Sequence, residues 1–359
     1  MLYRAIGVMS GSSLDGLDIV FAEFNEQAGK WQFTITHSAC YPFSAEWISR
    51  LENATQLPAR DYVQLDIDFG HYLGKELNRF IAENNIQFQV GLVSSHGHTV
   101  FHNPSGKMTA QIGDGAAIAA ETGLPVVSDL RSMDMAFGGQ GAPIVPVGEK
   151  WLLGEYDYFL NIGGICNISR NSDPFIAFDI CPANRVLNLL AREAGKEYDA
   201  GGAMAASGTV HAELLEKLNA LGYYKEPFPK SLANEFGTDV VYPLIKQAGL
   251  STQDALRTCT EHIAQQLGKT VAELGAGGKM LVTGGGAFND FLIERMRVAV
   301  KGNNTELVVP EKALVNYKEA LIMAFIGVLR WREEYNVLSS VTGAARSSIG
   351  GALWLGNEA

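Results

Sequence analysis

Residues 6–24 read IGVMSGSSLDGLDIVFAEF. An apolar run, Ile6–Met9, gives way to small residues and Asp15, and a second apolar run follows from Leu17 to Phe24. The pattern predicts strand, tight turn, strand. Gly11, Ser12, Ser13 and Gly16 would gather amides and hydroxyls into one concavity, a nest that suits phosphate oxygens. Asp15 would repel a bare phosphate, so that reading requires a divalent cation between the two. An ordinary polar hairpin, in which Ser, Asp and Gly are the usual residues, fits the same letters.

Outward from this hairpin, WQFTIT alternates Trp31, Phe33 and Ile35 with polar residues and predicts a third strand. Two helical patterns follow, SAEWISRLENAT with Ser44 as N-cap and the long ARDYVQLDIDFGHYLGKELNRFIAENN. VGLVSSHG predicts a buried strand emptying into a glycine loop, GAAIAAETG a short helix, and LPVVSD another strand. A similar plan then restarts. YDYFLNIGGICNISR reads as strand, Gly163-Gly164 turn, strand, and PFIAFDICPANRVLNLLARE as strand then helix, with Pro182 in the first helical turn. The remainder is largely helical, broken by the strand KMLVT, which runs into GGGAFNDFLIERM. Either the chain carries one unit twice, or two hairpins look alike by chance.

The 359 residues, 47% hydrophobic and 19% charged, suffice for two cored domains. A net charge of −11 argues against duplex nucleic acid and anionic membrane surfaces as partners, since both call for clustered Lys and Arg. No uninterrupted apolar run approaches the ~18 residues of a spanning helix, and the amino terminus has no basic, apolar leader. Cys40, Cys166, Cys181 and Cys259 are scattered without CxxC spacing, which supports neither zinc nor a disulfide framework. The expected setting is cytoplasmic and reduced.

Four further segments bear chemistry. Gly284, Gly285 and Gly286 stand between a strand and a helix, where backbone can approach a nucleotide, although neither a Walker pattern nor GxGxxG is present. Asp179 lies at the end of an apolar strand; it reads as a general base or as the cap of the helix opening at Pro182. SHGHTVFH supplies His96, His98 and His102, with 102 past an expected turn and no acidic or Cys ligand adjacent, so a substrate-contacting loop suits it better than a metal. Arg131 offers a fork for a carboxylate or phosphoryl group, or an ion pair to Asp129 or Asp134.

Taken in order, these segments resemble the anhydro-N-acetylmuramic acid kinase family over nearly the whole chain. GVMSGSSLDGLD is similar to that family's phosphate loop, with Ser12 where Thr is usual, and SSHGHTVFHNP to its His-Gly-Gln-Thr loop, with His98 replacing Gln. QIGDGAAIAAETGLPVVSDLRSMDMAFGGQGAPIVP is the longest match, and LNIGGICNIS, TGGGAFN and VTGAARSSIGGAL follow in place. Departures fall after Asp179, where Ile180, Cys181 and Ala183 break the family's Thr-Gly-Pro-Gly-Asn, and at Asn188, Gly201 and Asn234. On this resemblance the nucleotide elements are better kept than those of the sugar side.

The resemblance implies an α/β fold of two ribonuclease-H-like, actin/hexokinase-type domains around an interdomain cleft. The division is expected at 1–130 and 131–359, with the last residues free to pack back on the first domain. It implies ATP and Mg²⁺ as cofactors, held by Gly11, Ser12, Ser13, Asp15, Gly16, Gly163, Gly164, Gly284, Gly285 and Gly286, with Asp15 on the metal. Asp179 would be the catalytic base, and His96, Thr99, Arg131, Asn184 and Glu319 would line the sugar. The implied activity opens the 1,6-anhydro ring of 1,6-anhydro-N-acetylmuramic acid with water and phosphorylates O6, in a cytoplasmic homodimer that recycles peptidoglycan. A same-fold kinase for another sugar, and a diverged nucleotide-binding protein without turnover, are the alternatives open on sequence alone.

Overall fold

The computed structural model describes residues 1–356 except Ser12, Ser13, Pro229, Asn234 and Ala276. The chain divides into two compact units, Met1–Leu153 with Tyr317–Ala359, and Gly154–Asn316. The sequence reading had put the division at residue 130.

The first unit opens with an antiparallel meander, β1 (Leu2–Ser10), β2 (Leu17–Gln27) and β3 (Lys30–Tyr41). Helices α1 (Ala45–Glu52) and α2 (Ala59–Glu83) follow, and the Ser44 hydroxyl caps α1 by accepting from Trp47 N. Next come β4 (Leu92–Asn103), β5 (Met108–Ile112), α3 (Gly115–Thr122), β6 (Val126–Ser128), α4 (Ser132–Ala136) and α5 (Pro146–Leu152).

The second unit repeats the opening: β7 (Tyr158–Ile162), β8 (Ile165–Arg170) and β9 (Ile176–Pro182) form another antiparallel meander. Helices α6 (Asn184–Glu193), α7 (Ala203–Ser207), α8 (Ala212–Asn219), α9 (Tyr242–Gln247) and α10 (Thr252–Leu274) follow, then β10 (Gly278–Thr283), α11 (Asp290–Val300) and β11 (Thr305–Val308). Helix α12 (Lys312–Trp331) departs from helical geometry at Tyr317, where the chain re-enters the first unit, which α13 (Ser339–Thr342) and β12 (Ala352–Trp354) complete.

The repeat is therefore topological. The first sheet runs β12-β6-β4-β1-β2-β3, with β5 paired to β4, and the second runs β11-β10-β7-β8-β9. In each, a three-stranded meander is extended beyond its first strand by two parallel strands: β4 and β6 in one, β10 and β11 in the other. Parallel neighbours need long crossovers that cover the sheet with helices, which explains why the central strands read as near-continuous apolar runs.

In the first unit, α2 packs one face of the sheet with Leu65, Phe69, Leu73, Leu77 and Phe80 at helical spacing against Ile6, Val8, Ile19 and Phe21. Each such side chain, fully buried, contributes ~1.5–3 kcal/mol. The opposite face takes α12, whose Phe325 lies 5.5 Å from Phe24 and 5.0 Å from Trp31, ring centre to ring centre. Gly7 permits this approach, because a Cβ there would collide with the Ala320 carbonyl. A buried ion pair, Lys318 to Glu149 at 2.7 Å, anchors the same helix to α5. In the second unit α6, α10 and α11 supply the core through Val186, Leu190, Ile263, Leu267, Leu292 and Met296.

Two local expectations are corrected. Strand β4 continues through Gly97 to Asn103, so His102 lies within it, and the turn comes at Pro104–Lys107. The pairings to β1 and β5 absorb the irregularity as register shifts. Pro182 closes β9 and does not start a helix: α6 begins at Asn184, because Ala183 stands at φ −130°, ψ −107°.

Candidate active site

In the first unit the β1–β2 turn carries Leu14 in the left-handed region at φ 56°, its amide donating to the Gly11 carbonyl at 3.3 Å. Ser12 and Ser13 lie outside the described residues. Asp15 is exposed at the mouth of the turn, whereas Gly16 is buried where a Cβ would press on Cys40 Sγ and the Tyr41 carbonyl. Gly16 thus packs the turn against β3.

A carboxylate the sequence reading passed over stands beside them. Asp18 faces Cys40 across the β2–β3 pair, and the thiol hydrogen-bonds to it. Burial lifts Asp18 to about 6; the Cys40 hydrogen bond opposes this, and the charges of Asp15 and Glu319 add to it. Burial and Asp18 together push the Cys40 thiol up to about 12, so it is a donor and no nucleophile. The signal was available: Asp18 interrupts Leu17–Phe24, a stretch apolar on both faces.

On β4, His96 is buried and both ring nitrogens are engaged, Nδ1 with the Gly97 carbonyl at 2.9 Å and Nε2 accepting from Arg131 Nε at 2.9 Å. The Arg131 guanidinium also donates to the Gly141 carbonyl at 2.7 Å, so its partners are neither Asp129 nor Asp134. Asp134 is instead buried, taking the Gly141 amide and the Thr342 hydroxyl. Burial lowers Arg131 to about 10, against the pull of the Glu319 carboxylate, which places these two sequence candidates within electrostatic reach. His98 joins the first strand through Ser10 Oγ at 3.0 Å, and Thr99 accepts from Gln111 at 3.3 Å.

In the second unit the β7–β8 turn and the turn after β10 are packed together. A Cβ on Gly284, at φ 82°, would sit 2.5 Å from Asn161 Oδ1, and one on Gly286 would collide with Ile162. Those two glycines are obligatory for packing. A Cβ on Gly163, Gly164 or Gly285 would make only ordinary van der Waals contacts. The first turn of α6 closes on the hairpin: the amides of Ala183 and Asn184 donate to the Gly164 and Gly163 carbonyls at 2.8 and 3.1 Å, and Asn184 Nδ2 to the Ile162 carbonyl at 3.0 Å. The exposed Arg185, unremarked in the sequence reading, lies over Gly164.

Beside Gly285 and Gly286 opens a cavity of about 480 Å³, walled by Leu187, Tyr198, Phe288 and Lys312. Asn188 and Gly201 line it as well, so two positions where the chain departs from the resembled family face this glycine turn. Asn234, a third, lies outside the described residues.

Asp179 sits within β9, half-buried, next to a bulge that leaves Ile180 unpaired against β8. Its Oδ2 accepts from the Leu232 amide at 2.8 Å, and it does not cap α6. Burial holds its carboxyl above the ordinary carboxylate range, with the Leu232 hydrogen bond opposing. A carboxylate so raised is a better proton acceptor than a free one.

Comparison with known proteins decides the family. The profile of the anhydro-N-acetylmuramic acid kinase family matches residues 3–356. The chain belongs to the anhydro-N-acetylmuramic acid kinase family. Anhydro-N-acetylmuramic acid kinase of Shewanella sediminis is 33% identical over 97% of this chain and 98% of its own. That of Aliivibrio fischeri is 33% identical over 99% and 100%. Among solved structures, the activator of 2-hydroxyisocaproyl-CoA dehydratase from Clostridium difficile, with bound ADPNP, superposes at a TM-score of 0.47 with 14% identity, over 92% of this chain and 96% of that one. Hexokinase from Schistosoma mansoni complexed with glucose reaches 0.39 with 13% identity, over 90% and 85%. As a member of this kinase family the chain is a sugar kinase.

Proposed function

We propose that the protein opens the 1,6-anhydro ring of 1,6-anhydro-N-acetylmuramic acid with water and transfers the γ-phosphoryl group of ATP to O6. The products are N-acetylmuramic acid 6-phosphate and ADP. Asp179 takes a proton from water as its oxygen attacks C1. The C1–O6 bond breaks with its electron pair left on O6, and O6 displaces ADP from the γ-phosphorus. The base acts as in an inverting glycosidase, while the phosphoryl group replaces the acid that would otherwise protonate the leaving oxygen. The observation that carries this reading is Asp179 itself, a half-buried carboxylate raised by burial and held by one oxygen in a chain of this family.

ATP is assigned to Gly285, Gly286 and the adjoining cavity of about 480 Å³, a size suited to a nucleoside. Its phosphates fall to the Gly163–Gly164 turn and the Gly11–Gly16 turn, with Ser12 and Ser13. Asp15, whose charge adds to the rise of Asp18, would hold a divalent cation together with Asp18. Mg²⁺ is content with one or two carboxylates, water and phosphate. Bound there, Mg²⁺ would neutralise charge on the phosphates. His96, Thr99, Arg131, Asn184 and Glu319 are assigned to the sugar side, His96 through its hold on Arg131. The setting is peptidoglycan recycling in the cytoplasm, by a homodimer. Among the described residues no helix is long and apolar enough to cross a membrane.

The test is turnover of the anhydro sugar with ATP and Mg²⁺ in heavy-oxygen water. One heavy oxygen at C1 per ADP formed is expected. A phosphorylated product that keeps its anhydro bridge would overturn the reading. Asp179→Asn is expected to cost ~10²–10⁴-fold in turnover.

A further inference from the structure

We infer that residues 223–228 and 230–232 form a strap that positions Asp179, fixing three of its four polar atoms and leaving Oδ1 to the substrate; this rests on Asp179 being the base. Strand β9 is the outer strand of its sheet, and the strap covers its free edge at one residue. Asp179 N donates to the Lys230 carbonyl at 3.1 Å, the Tyr223 hydroxyl donates to the Asp179 carbonyl at 2.6 Å, and the Leu232 amide donates to Oδ2 at 2.8 Å. Among the described residues, none holds Oδ1.

The strap is itself anchored. Phe228 stacks on Phe178, the residue before Asp179, with ring centres 5.1 Å apart and planes 8° from parallel. Lys230 Nζ lies 4.5 Å over the Tyr223 ring and donates to the Tyr223 and Glu226 carbonyls. One residue along, the Tyr224 hydroxyl meets Nε2 of the buried His262 of α10 at 3.0 Å, and the other ring nitrogen meets Asn219 Oδ1 at 2.7 Å. The strap is thus pinned both to the strand carrying the base and to the helix behind it.

Two effects follow. An amide aimed at Oδ2 favours the ionised form that must accept the proton, against burial, which favours the neutral one. Bonds to the main-chain N and O of the same residue stop the carboxylate from drifting, and a shift of about 1 Å at a reacting group can cost ~10²-fold in rate.

The experiment measures the pH dependence of kcat and the KM values with the anhydro sugar, ATP and Mg²⁺. Leu232→Pro removes the amide; the acid limb is expected at higher pH and kcat about 10-fold lower, with KM for ATP within about twofold of the parent. Leu232→Ala keeps the amide and is expected to restore the acid limb. Tyr223→Phe removes only the hydroxyl and is expected to lower kcat about 10-fold at little change in KM. Parental kcat and acid limb in both Leu232→Pro and Tyr223→Phe, beside an inactive Asp179→Asn, would overturn the strap and spare the base. Full turnover by Asp179→Asn would remove both. Should Leu232→Pro fail to fold, Tyr223→Phe decides alone.

Discussion

Arg131 Nε donates to His96 Nε2 across 2.9 Å, so this imidazole is neutral, with its proton on Nδ1 directed at the Gly97 carbonyl. Burial first, and the Arg131 charge second, lower His96 from 6.5 to about 3. A folded value below the ordinary one means that the stabilisation is complete above about 6.5 and drains away as pH falls towards 3.

His96→Gln, which does not titrate, tests this. The variant is expected to melt a few degrees below the parent near pH 7.5, through the lost fit to Arg131, and the gap is expected to close towards about pH 4.5. Thermal scans across that interval measure it. A gap independent of pH would mean that His96 takes up a proton as readily in the folded protein as in the unfolded chain.

Asp18 runs in the opposite sense. Burial raises it from 3.8 to about 6, with Asp15 and Glu319 adding to the rise. A raised carboxylate stabilises the fold most below its ordinary value and progressively less as pH climbs through 6, so its ionised form is a liability at neutral pH. Asp18→Asn is expected to melt a few degrees above the parent near pH 8 and level with it near pH 4. If Asp18 contributes to the cation site, the same variant gains less than the parent in melting temperature from ATP and Mg²⁺ together. A lower melting point at pH 8 would contradict the assignment of its environment.

The glycines after β10 divide by what surrounds them. A side chain at 286 would strike Ile162, and Gly286→Ala is expected to lose ~1–3 kcal/mol of stability through overpacking, seen in denaturant melts. At 285 the nearest group is Asn184 Nδ2 at 3.8 Å, so Gly285→Ala is expected to fold like the parent. Its effect should fall on KM for ATP, raised several-fold. Equal behaviour of the two variants would show that the turn is not shaped as described.

Much of the fold was legible because its signals are local. The β1–β2 turn, the Ser44 cap and the α2 stripe from Leu65 to Phe80 follow from neighbours a few positions apart. The twofold use of one strand order was visible only as two similar hairpins, since the pairing of β4 with β1 and of β10 with β7 joins residues far apart in sequence. Two of the misses share that cause. Pro182 suggests a helix start on composition, yet pairing with Ile165 keeps it in β9. The segment 223–232 has no periodicity to announce it, and its bonds to Asp179 span more than 40 residues. Asp18 differs, because its signal is local: a carboxylate set in the mostly apolar run Leu17–Phe24.

The first turn of α6 spends its amides on the carbonyls of Gly163 and Gly164. If ATP binds this bend as proposed, the turn is already held before the nucleotide arrives, and little ordering entropy is forfeited there on binding. Hydrogen exchange at Ala183 and Asn184 should already be slow in the empty protein and scarcely slower once ATP is added. On the proposed assignment of ATP to this cavity, discrimination among nucleotides falls to its walls, where Asn188 and Gly201 stand, and those two positions are where a change of preferred base or ribose would be engineered.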